Sequence, residues 1–373
     1  MRGIRLGSIF GLEIRIDYSW FIIFLLILWT LTAGVFPQEV PDMSTGAYIA
    51  MGVAGTLLFF ASLLAHEISH SLVAQSRDIP VEGITLFIFG GMAHTRMEAE
   101  DPGDEFVIAG VGPLASLAIA AGFFALAWAG RTAGLGTVYT AVAEYLAFIN
   151  VALAVFNLLP GFPLDGGRLF RAAAWKVTGD LRKATRWATA GGKGLGYALI
   201  GIGLLQLFAG GMGGGLWLIF IGWFVRTAAE SSFTQHVLRE TLQDVPVRDV
   251  MTPDPETVPA DLSLQEFVDD RVMKGRHRAY PVIDDGRPTG MVSLDQVRNV
   301  SRDEWPDTTV RDVMSTVDED HRVAPDEDMA AVLERLGGRE GVRLLVVDAH
   351  ELVGVITRGD LTRWIERAEL LEG

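Results

Sequence analysis

Cysteine is absent from this chain of 373 residues, so it has neither a disulfide framework nor a cysteine-ligated metal. Lysine is scarce, since only 4 of the 31 basic residues are Lys and the other 27 are Arg. The chain also lacks a positive charge balance, because its formal net charge is −15. This deficit argues against a protein that binds nucleic acid through its phosphates.

Charge of either sign is sparse over the first 228 residues, which hold 15 acidic and 14 basic side chains. The rest of the chain holds 31 acidic and 17 basic side chains, a net charge of −14. Half of all residues are hydrophobic, and they are concentrated in the first part. We therefore expect a polytopic α-helical membrane domain over residues 1–228, a linker over 229–244 and a soluble α/β part over 245–373.

Long apolar stretches in the first part predict about six membrane spans. They cover residues 18–36, 46–74, 105–130, 138–164, 194–209 and 212–228. The first stretch is too long for the core of a cleavable signal peptide, and the glycine cluster at 210–215 predicts a turn between the last two. Residues 1–17 alternate between polar and apolar and predict a β-hairpin at the membrane surface, with its turn at Gly7-Ser8.

Basic residues predict the orientation of these spans. If there are six spans, the segments on one side of the membrane hold nearly all the basic residues of this part, including seven between residues 168 and 193. The loops on the other side hold only Arg131. Basic residues favour the cytoplasmic side. We therefore expect a multi-pass protein of the plasma membrane, with its N-terminus and its soluble part in the cytoplasm.

A metal-binding pattern, His66-Glu67-Ile68-Ser69-His70, lies in the second apolar stretch, after twenty residues without charge. Residues four apart differ by about 40° around a helix, so both imidazoles can reach one ion. An exposed polar pair is the alternative, but polar groups at membrane depth are costly without a functional partner. The pattern predicts His66 and His70 as zinc ligands and Glu67 as a general base.

A catalytic zinc takes three protein ligands and keeps one position open. Asp165 is the best candidate for the third ligand, because it follows the helix-breaking segment Pro160-Gly161-Phe162-Pro163. Irregular backbone at membrane depth is tolerated only where it is buried or lines a wet cavity, which suits a metal ligand. The alternative is that Asp165 caps the helix that follows.

The acidic tail contains an internal repeat. Arg-Asp-Val-Met at 248–251 recurs at 311–314, and Tyr-Pro-Val-Ile-Asp at 280–284 parallels Leu-Val-Val-Asp at 345–348. Each unit predicts the order strand, helix, strand, strand, helix. We place the two repeats at residues 245–305 and 308–368.

Taken together, the His-Glu-x-x-His pattern and the segment Asn-x-x-Pro-x-x-Pro-Leu-Asp-Gly at 157–166 resemble the site-2 protease family of intramembrane zinc metalloproteases. The resemblance covers about residues 1–228, and the tail resembles a tandem pair of CBS domains. It implies one zinc ion held by His66, His70 and Asp165, with Glu67 as general base and Asn157 positioning the substrate. It also implies regulated intramembrane proteolysis, the cleavage of transmembrane segments of membrane-tethered proteins within the lipid bilayer.

The CBS resemblance implies an adenine nucleotide, ATP or AMP, bound by Thr or Ser followed three positions later by Asp. The second repeat matches with Thr357 and Asp360. The first repeat has Ser293 followed at that spacing by Gln296, and its Asp295 is one place early. We therefore expect one nucleotide site, and the alternative is a structural module or one that forms a homodimer.

Three further features of the first part have interpretations that stay open. Residues 84–91 are apolar and β-rich, and resemble a membrane-dipping strand that pairs with an extended substrate, although a buried structural hairpin is equally consistent. His94 follows and is a further candidate ligand, but a lone loop histidine is more often structural. Gly-Val-Gly-Pro at 110–113 resembles the glycine-proline entry to the family's core helix.

Two other functions compete with a protease. One is a CBS-regulated transporter, in which the intramembrane charges form an ion path. The other is a catalytically silent relative that only binds membrane proteins. The pairing of His-Glu-x-x-His with Leu-Asp-Gly favours the protease, because a transporter does not need it.

Overall fold

The computed structural model of the protein describes residues 3–95, 99, 101–274, 277–318, 321–337, 343–357, 359–364 and 367. Side chains are described for the same residues apart from 94, 95, 212, 235–240 and 334–337. The chain divides into two units, Met1–Gln235 and His236–Gly373.

The first unit is largely helical. A π-helical turn, Leu31–Val35, joins its first two helices. The helices are α1 (Trp20–Thr30), α2 (Phe36–Glu39), α3 (Thr45–Gln75), α4 (Pro102–Thr132), α5 (Thr137–Asn157), α6 (Asp165–Thr178), α7 (Leu181–Phe208) and α8 (Met212–Leu242).

Four segments among the described residues are long and apolar enough to cross a membrane: Trp20–Glu39, α3, α4 and α5. They match the first four predicted spans, so the helical membrane part is confirmed with fewer candidate spans than the six expected. The two helices predicted after residue 193 do form, as α7 and α8, with their turn at 209–211. Charges in the first half of α7 leave only residues 194–208 apolar, about 22 Å of helix, which is shorter than a bilayer core of about 30 Å.

Capping residues account for where the long helices begin. The Ser44 hydroxyl accepts a hydrogen bond from the Ala47 N–H at 3.2 Å at the start of α3. The Asp101 carboxylate accepts one from the Gly103 N–H at 2.6 Å at the start of α4. Helix α5 ends at Asn157 shortly before Pro160, as the helix-breaking segment predicts.

A four-stranded sheet packs against these helices in the order β1-β2-β3-β4. The predicted N-terminal hairpin is confirmed, but its turn lies at Phe10-Gly11, not at Gly7-Ser8. Phe10 and Gly11 have φ angles of 53° and 79°, as a tight two-residue hairpin requires, whereas Gly7 lies at an irregularity inside β1. The strands are β1 (Gly3–Ile9), β2 (Leu12–Asp17), β3 (Val81–Phe87) and β4 (Gly90–Thr95).

The apolar segment at 84–87 belongs to β3, an interior strand that pairs in parallel with β2 and antiparallel with β4. Ile84 and Leu86 are buried in a core that also contains Ile14 of β2 and Phe60 and Leu63 of α3. The segment is therefore part of the sheet's core, and β4 forms the edge of the sheet.

The second unit contains short helices and two four-stranded sheets. Its elements are α9 (Val247–Val250), β5 (Thr252–Pro253), β6 (Val258–Pro259), α10 (Leu264–Glu266), β7 (Ala279–Asp284), β8 (Arg287–Ser293), α11 (Leu294–Val297), α12 (Val310–Val313), β9 (Ser315–Thr316), β10 (Arg322–Val323), α13 (Met329–Gly337), β11 (Leu344–Asp348) and β12 (Glu351–Ile356). The strand orders of the two sheets are β10-β11-β12-β5 and β6-β7-β8-β9.

The predicted order of strand, helix, strand, strand, helix is confirmed in both repeats. The first repeat has β6, α10 with a π-helical turn, β7, β8 and α11. The second repeat has β10, α13, β11, β12 and helical residues 359–364. The strand after each Arg-Asp-Val-Met joins the sheet of the other repeat, since β5 pairs with β12 and β9 pairs with β8.

Candidate metal centre

Three potential ligand atoms converge where α3 meets the start of α6. The Nε2 atoms of His66 and His70 are 3.2 Å apart, and they lie 3.1 Å and 3.3 Å from Asp165 Oδ2. Both imidazoles are buried, and the Asp165 side chain is 13% exposed. Leu164 occupies the cap position of α6 and Asp165 is its first helical residue, so Asp165 does not take the capping role considered above.

The spacing of these three atoms fits a tetrahedral zinc ion. Zinc bonds to His nitrogen and carboxylate oxygen are about 2.0–2.2 Å long, which places two tetrahedral ligand atoms about 3.3 Å apart. The three observed separations, 3.1, 3.2 and 3.3 Å, lie within about 0.2 Å of that value. Nitrogen and oxygen donors are also the chemical set that zinc accepts without cysteine.

Helix α4 fixes the orientation of both imidazoles. The His70 Nδ1 lies 2.6 Å from the Ile108 carbonyl oxygen, and because a carbonyl only accepts, Nδ1 must carry the proton. The His66 Nδ1 lies 2.9 Å from the Ser116 hydroxyl, which can accept in the same way. With Nδ1 protonated in a neutral ring, the lone pair of each histidine is on Nε2 and faces the other ligands.

The backbone of α4 approaches the imidazoles closely at Gly112. A Cβ atom at this position would lie 2.1 Å from the His70 Nε2 and 2.7 Å from the His66 Nε2. No side chain fits at such distances. Gly112 therefore leaves a space beside the two Nε2 atoms, and the side chain of any other residue would fill that space.

The Asp165 carboxylate is delivered by a loop that packs on α7. The Phe162 N–H donates to the Ala188 carbonyl at 3.1 Å, and Gly161 lies against the backbone of Gly192. Asp165 begins α6 directly after this loop, so the packing of the loop on α7 places its carboxylate, which binds a cation in its ionised form.

Glu67 lies beside the three-atom cluster on α3, with its side chain half-buried. A Cβ atom on Gly91 of the edge strand β4 would lie 2.4 Å from the Glu67 Cγ and 2.8 Å from its Cδ. The backbone of β4 therefore runs directly against the carboxylate predicted to be the base.

Asn157 is the last residue of α5, and its Nδ2 donates to the Leu153 carbonyl at 3.0 Å. It is not among the residues of the three-atom cluster. The backbone of His94 pairs with Gly83 in the sheet, but its side chain lies outside the described residues. The ligand role considered for His94 therefore stays a prediction.

Two contacts of the site, Ile108 and Ser116, were not predicted from the sequence, and the segment at 110–113 was singled out without the close approach of Gly112 to the imidazoles. Gly112 and Ser116 are four residues apart on α4 and so share one helix face, a pattern that a search for polar or small residues at helical spacing could have found. Ile108 acts through its backbone carbonyl, so its side chain carries no signal of this contact.

In the second unit, the two residues predicted for nucleotide binding are brought together. Asp360 is 4% exposed, and its Oδ2 accepts hydrogen bonds from the Thr357 N–H at 2.8 Å and the Thr357 hydroxyl at 2.6 Å. Its Oδ1 accepts from the Thr252 hydroxyl at 2.7 Å and from the largely exposed Arg363. The carboxylate is thus held by both repeats.

The matching position in the first repeat has an amide in place of the carboxylate. Gln296 Oε1 accepts from the Ser293 N–H at 2.6 Å and from its hydroxyl at 3.0 Å, while Nε2 donates to the Ser315 hydroxyl at 2.6 Å. Asp295 is exposed and adjacent. An amide nitrogen only donates, so this position lacks the second acceptor oxygen that Asp360 has.

Two family models match the chain. The model described as "Peptidase family M50" matches residues 54–140 and 130–199, and the model described as "CBS domain" matches residues 247–303 and 310–367. The first pair of ranges contains all three ligand candidates, and each range of the second pair falls within one of the two repeats.

Similar proteins match over nearly the whole chain. A protein of Mycobacterium tuberculosis named "Putative zinc metalloprotease Rip3" is 39% identical, over 97% of this chain and 93% of its own length. "Zinc metalloprotease MJ0392" of Methanocaldococcus jannaschii is 30% identical, over 99% and 98%. The solved structure of a site-2 protease from the same archaeon covers 62% of this chain and 94% of its own, with 26% identity and a TM-score of 0.43.

Proposed function

This chain belongs to peptidase family M50, the site-2 protease family, and carries tandem CBS domains, and from that premise we propose that it cleaves transmembrane segments of membrane-tethered proteins. The observation that carries the proposal is the triangle of His66, His70 and Asp165 donor atoms, whose separations fit one zinc ion.

In the proposed mechanism, His66, His70 and Asp165 hold one zinc ion per chain. When bound, the ion would supply Lewis-acid polarisation of the peptide carbonyl. The Ile108 carbonyl keeps His70 in the tautomer that presents Nε2, and the Ser116 hydroxyl can accept from the His66 Nδ1 in the same tautomer. With the proton on Nδ1, each histidine would serve as a neutral ligand.

Glu67 serves as the general base and then as the general acid. It takes a proton from the attacking water and passes it to the leaving amine nitrogen. A substrate helix must unwind first, because helical carbonyls are hydrogen-bonded and covered. The edge strand β4 beside Glu67 supports an extended substrate backbone by strand addition, and Asn157 positions the same backbone.

The orientation belongs to the same proposal. We place the protein in the plasma membrane with its N-terminus and CBS pair in the cytoplasm, which the distribution of basic residues supports. The substrates are transmembrane proteins within the lipid bilayer, and the process is regulated intramembrane proteolysis. The membrane part is residues 1–228, the linker 229–244 and the CBS pair 245–373.

The test uses the full chain purified in detergent, its zinc content, and cleavage of a model transmembrane substrate. Glu67→Gln should keep zinc at one ion per chain and lose cleavage, because it removes only the proton carrier. Asp165→Ala should bind zinc more weakly, so that it is purified with less than one ion per chain, and should lose cleavage, because only the two histidine ligands remain. The matched control is Glu39→Gln, which alters an exposed glutamate of α2 and should change neither.

Cleavage that survives in Glu67→Gln would contradict the mechanism. A zinc content unaffected by Asp165→Ala would remove that residue from the ligand set. A catalytically silent relative would bind zinc without cleaving in the unaltered chain, and a transporter would not cleave the model substrate in any variant.

The CBS pair is proposed to regulate the protease by binding one adenine nucleotide, ATP or AMP. Ribose hydroxyls need acceptor oxygens, and Asp360 has two where Gln296 has one. A ribose hydroxyl would take the place of Arg363, the exposed partner of Asp360, leaving that guanidinium beside the phosphates. The alternative, homodimerisation through the CBS pair, predicts a concentration-dependent mass and no nucleotide effect on cleavage.

A further inference from the structure

A buried ion pair that the proposed chemistry does not use joins α4 to α6. The Arg171 Nε donates to Glu105 Oε1 at 2.7 Å, and a second guanidinium nitrogen contacts the same oxygen. Glu105 is 1% exposed and Arg171 is 8% exposed. Removing two charges from water is costly, and their attraction often does no more than offset that cost, so a gain in stability does not by itself explain why the pair is present.

The pair lies near the start of α4 and in the first half of α6, close to the residues that form the candidate metal centre. Glu105 is one helical turn before Ile108, whose carbonyl holds His70. Arg171 follows Asp165 on α6, and its guanidinium lies 5.1 Å from the centre of the Phe162 ring. The Arg171 side chain therefore contacts both α4 and the loop that precedes Asp165, the proposed third ligand.

The position of Asp165 relative to the imidazoles depends on this junction. Helix α4 fixes the two histidines through Ile108 and Ser116, so it is the reference frame for their Nε2 atoms. Asp165 begins α6, a different helix, after an irregular loop. Its Oδ2 stays within 3.3 Å of both Nε2 atoms only if α6 keeps one register on α4.

We propose that Glu105 and Arg171 are positioning residues for the third metal ligand. Their ion pair sets the register of α6 on α4 and thereby places Asp165 Oδ2 at the two imidazoles. The inference rests on the proposed zinc site. A fork-shaped guanidinium suits this task, because its fixed geometry and planar face restrict both helix and loop.

The test measures the zinc dissociation constant of the full chain in detergent, by competition with chelators of known affinity. Arg171→Met and Glu105→Gln should each weaken zinc binding by about 10–100-fold, the range usual for groups that orient metal ligands. Glu105→Gln keeps the side chain's shape, so it remains informative if Arg171→Met does not fold. The matched control is Arg77→Gln, which breaks the more exposed pair of Arg77 with Asp104 at the same end of α4 and should leave zinc affinity unchanged.

A second comparison separates positioning from a general loss of structure. In an Asp165→Ala background, adding Arg171→Met should weaken zinc binding by less than twofold, because the residue through which Arg171 acts is already gone. In the metal-free protein, Arg171→Met should speed amide exchange at residues 165–168 and leave residues 66–70 unchanged.

Two results would overturn the inference and leave the proposed function standing: unchanged zinc affinity in both single variants, or a full 10–100-fold effect of Arg171→Met that persists without Asp165. A third result, zinc affinity unaffected by Asp165→Ala, would overturn the inference together with the proposed ligand set.

Discussion

Replacing Gly112 with alanine tests the metal centre most directly. The added Cβ would lie 2.1 Å from the His70 Nε2, whereas ordinary contact begins near 3.4 Å, so the helix or the ring must move by about 1.3 Å. Zinc ligation tolerates distance errors of about 0.2 Å. We therefore expect Gly112→Ala to weaken zinc binding by at least about 100-fold, or about 2.7 kcal/mol.

Two glycines of the same helix provide matched controls. A Cβ on Gly122 would meet nothing within 4 Å, and one on Gly110 would only reach Leu169 at 3.8 Å. Alanine inside a helix is favoured over glycine by about 1 kcal/mol, so both controls should raise or keep stability and leave zinc affinity unchanged. Chelator competition gives the zinc dissociation constant, and thermal unfolding of the metal-free protein gives stability.

Zinc binding by Gly112→Ala as tight as that of the unaltered chain would contradict a steric conflict at this position. An equally large loss of zinc affinity in Gly110→Ala and Gly122→Ala would contradict it as well. In that case the effect would come from α4 as a whole and not from close approach at one position.

Three further predictions concern other contacts. Ser116→Ala should weaken zinc binding about tenfold, because it removes a hydroxyl that orients a ligand ring; unchanged chelator competition would contradict this. Gly91→Ala should lower kcat for cleavage at least tenfold with zinc content unchanged, since its Cβ would displace the Glu67 carboxylate, whereas an unchanged kcat would show that the carboxylate can shift freely. Asp360→Ala should abolish ATP binding measured by calorimetry and Gln296→Ala should not, and equal losses would exclude a single site.

Local regularities explain which parts of the candidate metal centre could be predicted from the sequence. His66 and His70 are four residues apart in an apolar stretch, and helical periodicity alone places both rings on one face. The helix-breaking segment before Asp165 is equally local, and it correctly marks the end of α5. The internal repeat in the tail predicted the order of strands and helices, because each repeat is one local unit.

Long-range contacts explain what could not be predicted. The parallel pairing of β2 with β3 joins residues about seventy positions apart, and it makes the apolar segment at 84–87 an interior strand. The exchange of β5 and β9 between the repeats likewise depends on which strands meet in space. The start of α7 at Leu181 was likewise not predicted, and its charged first half leaves a short apolar part.

Two features of the candidate site can be predicted from the order of amino acids alone: two histidines and a glutamate share a helix in an apolar part of the chain, and an aspartate follows a later helix break. Both facts depend on residues close together along the chain. Three-dimensional contacts decide the rest: Asp165 meets the imidazoles, the Ile108 carbonyl sets the tautomer of His70, the Ser116 hydroxyl contacts His66, and Gly112 must lack a side chain. These depend on the packing of α3, α4 and α6, since a ligand triangle with sides of 3.1 to 3.3 Å is specified by distances between helices.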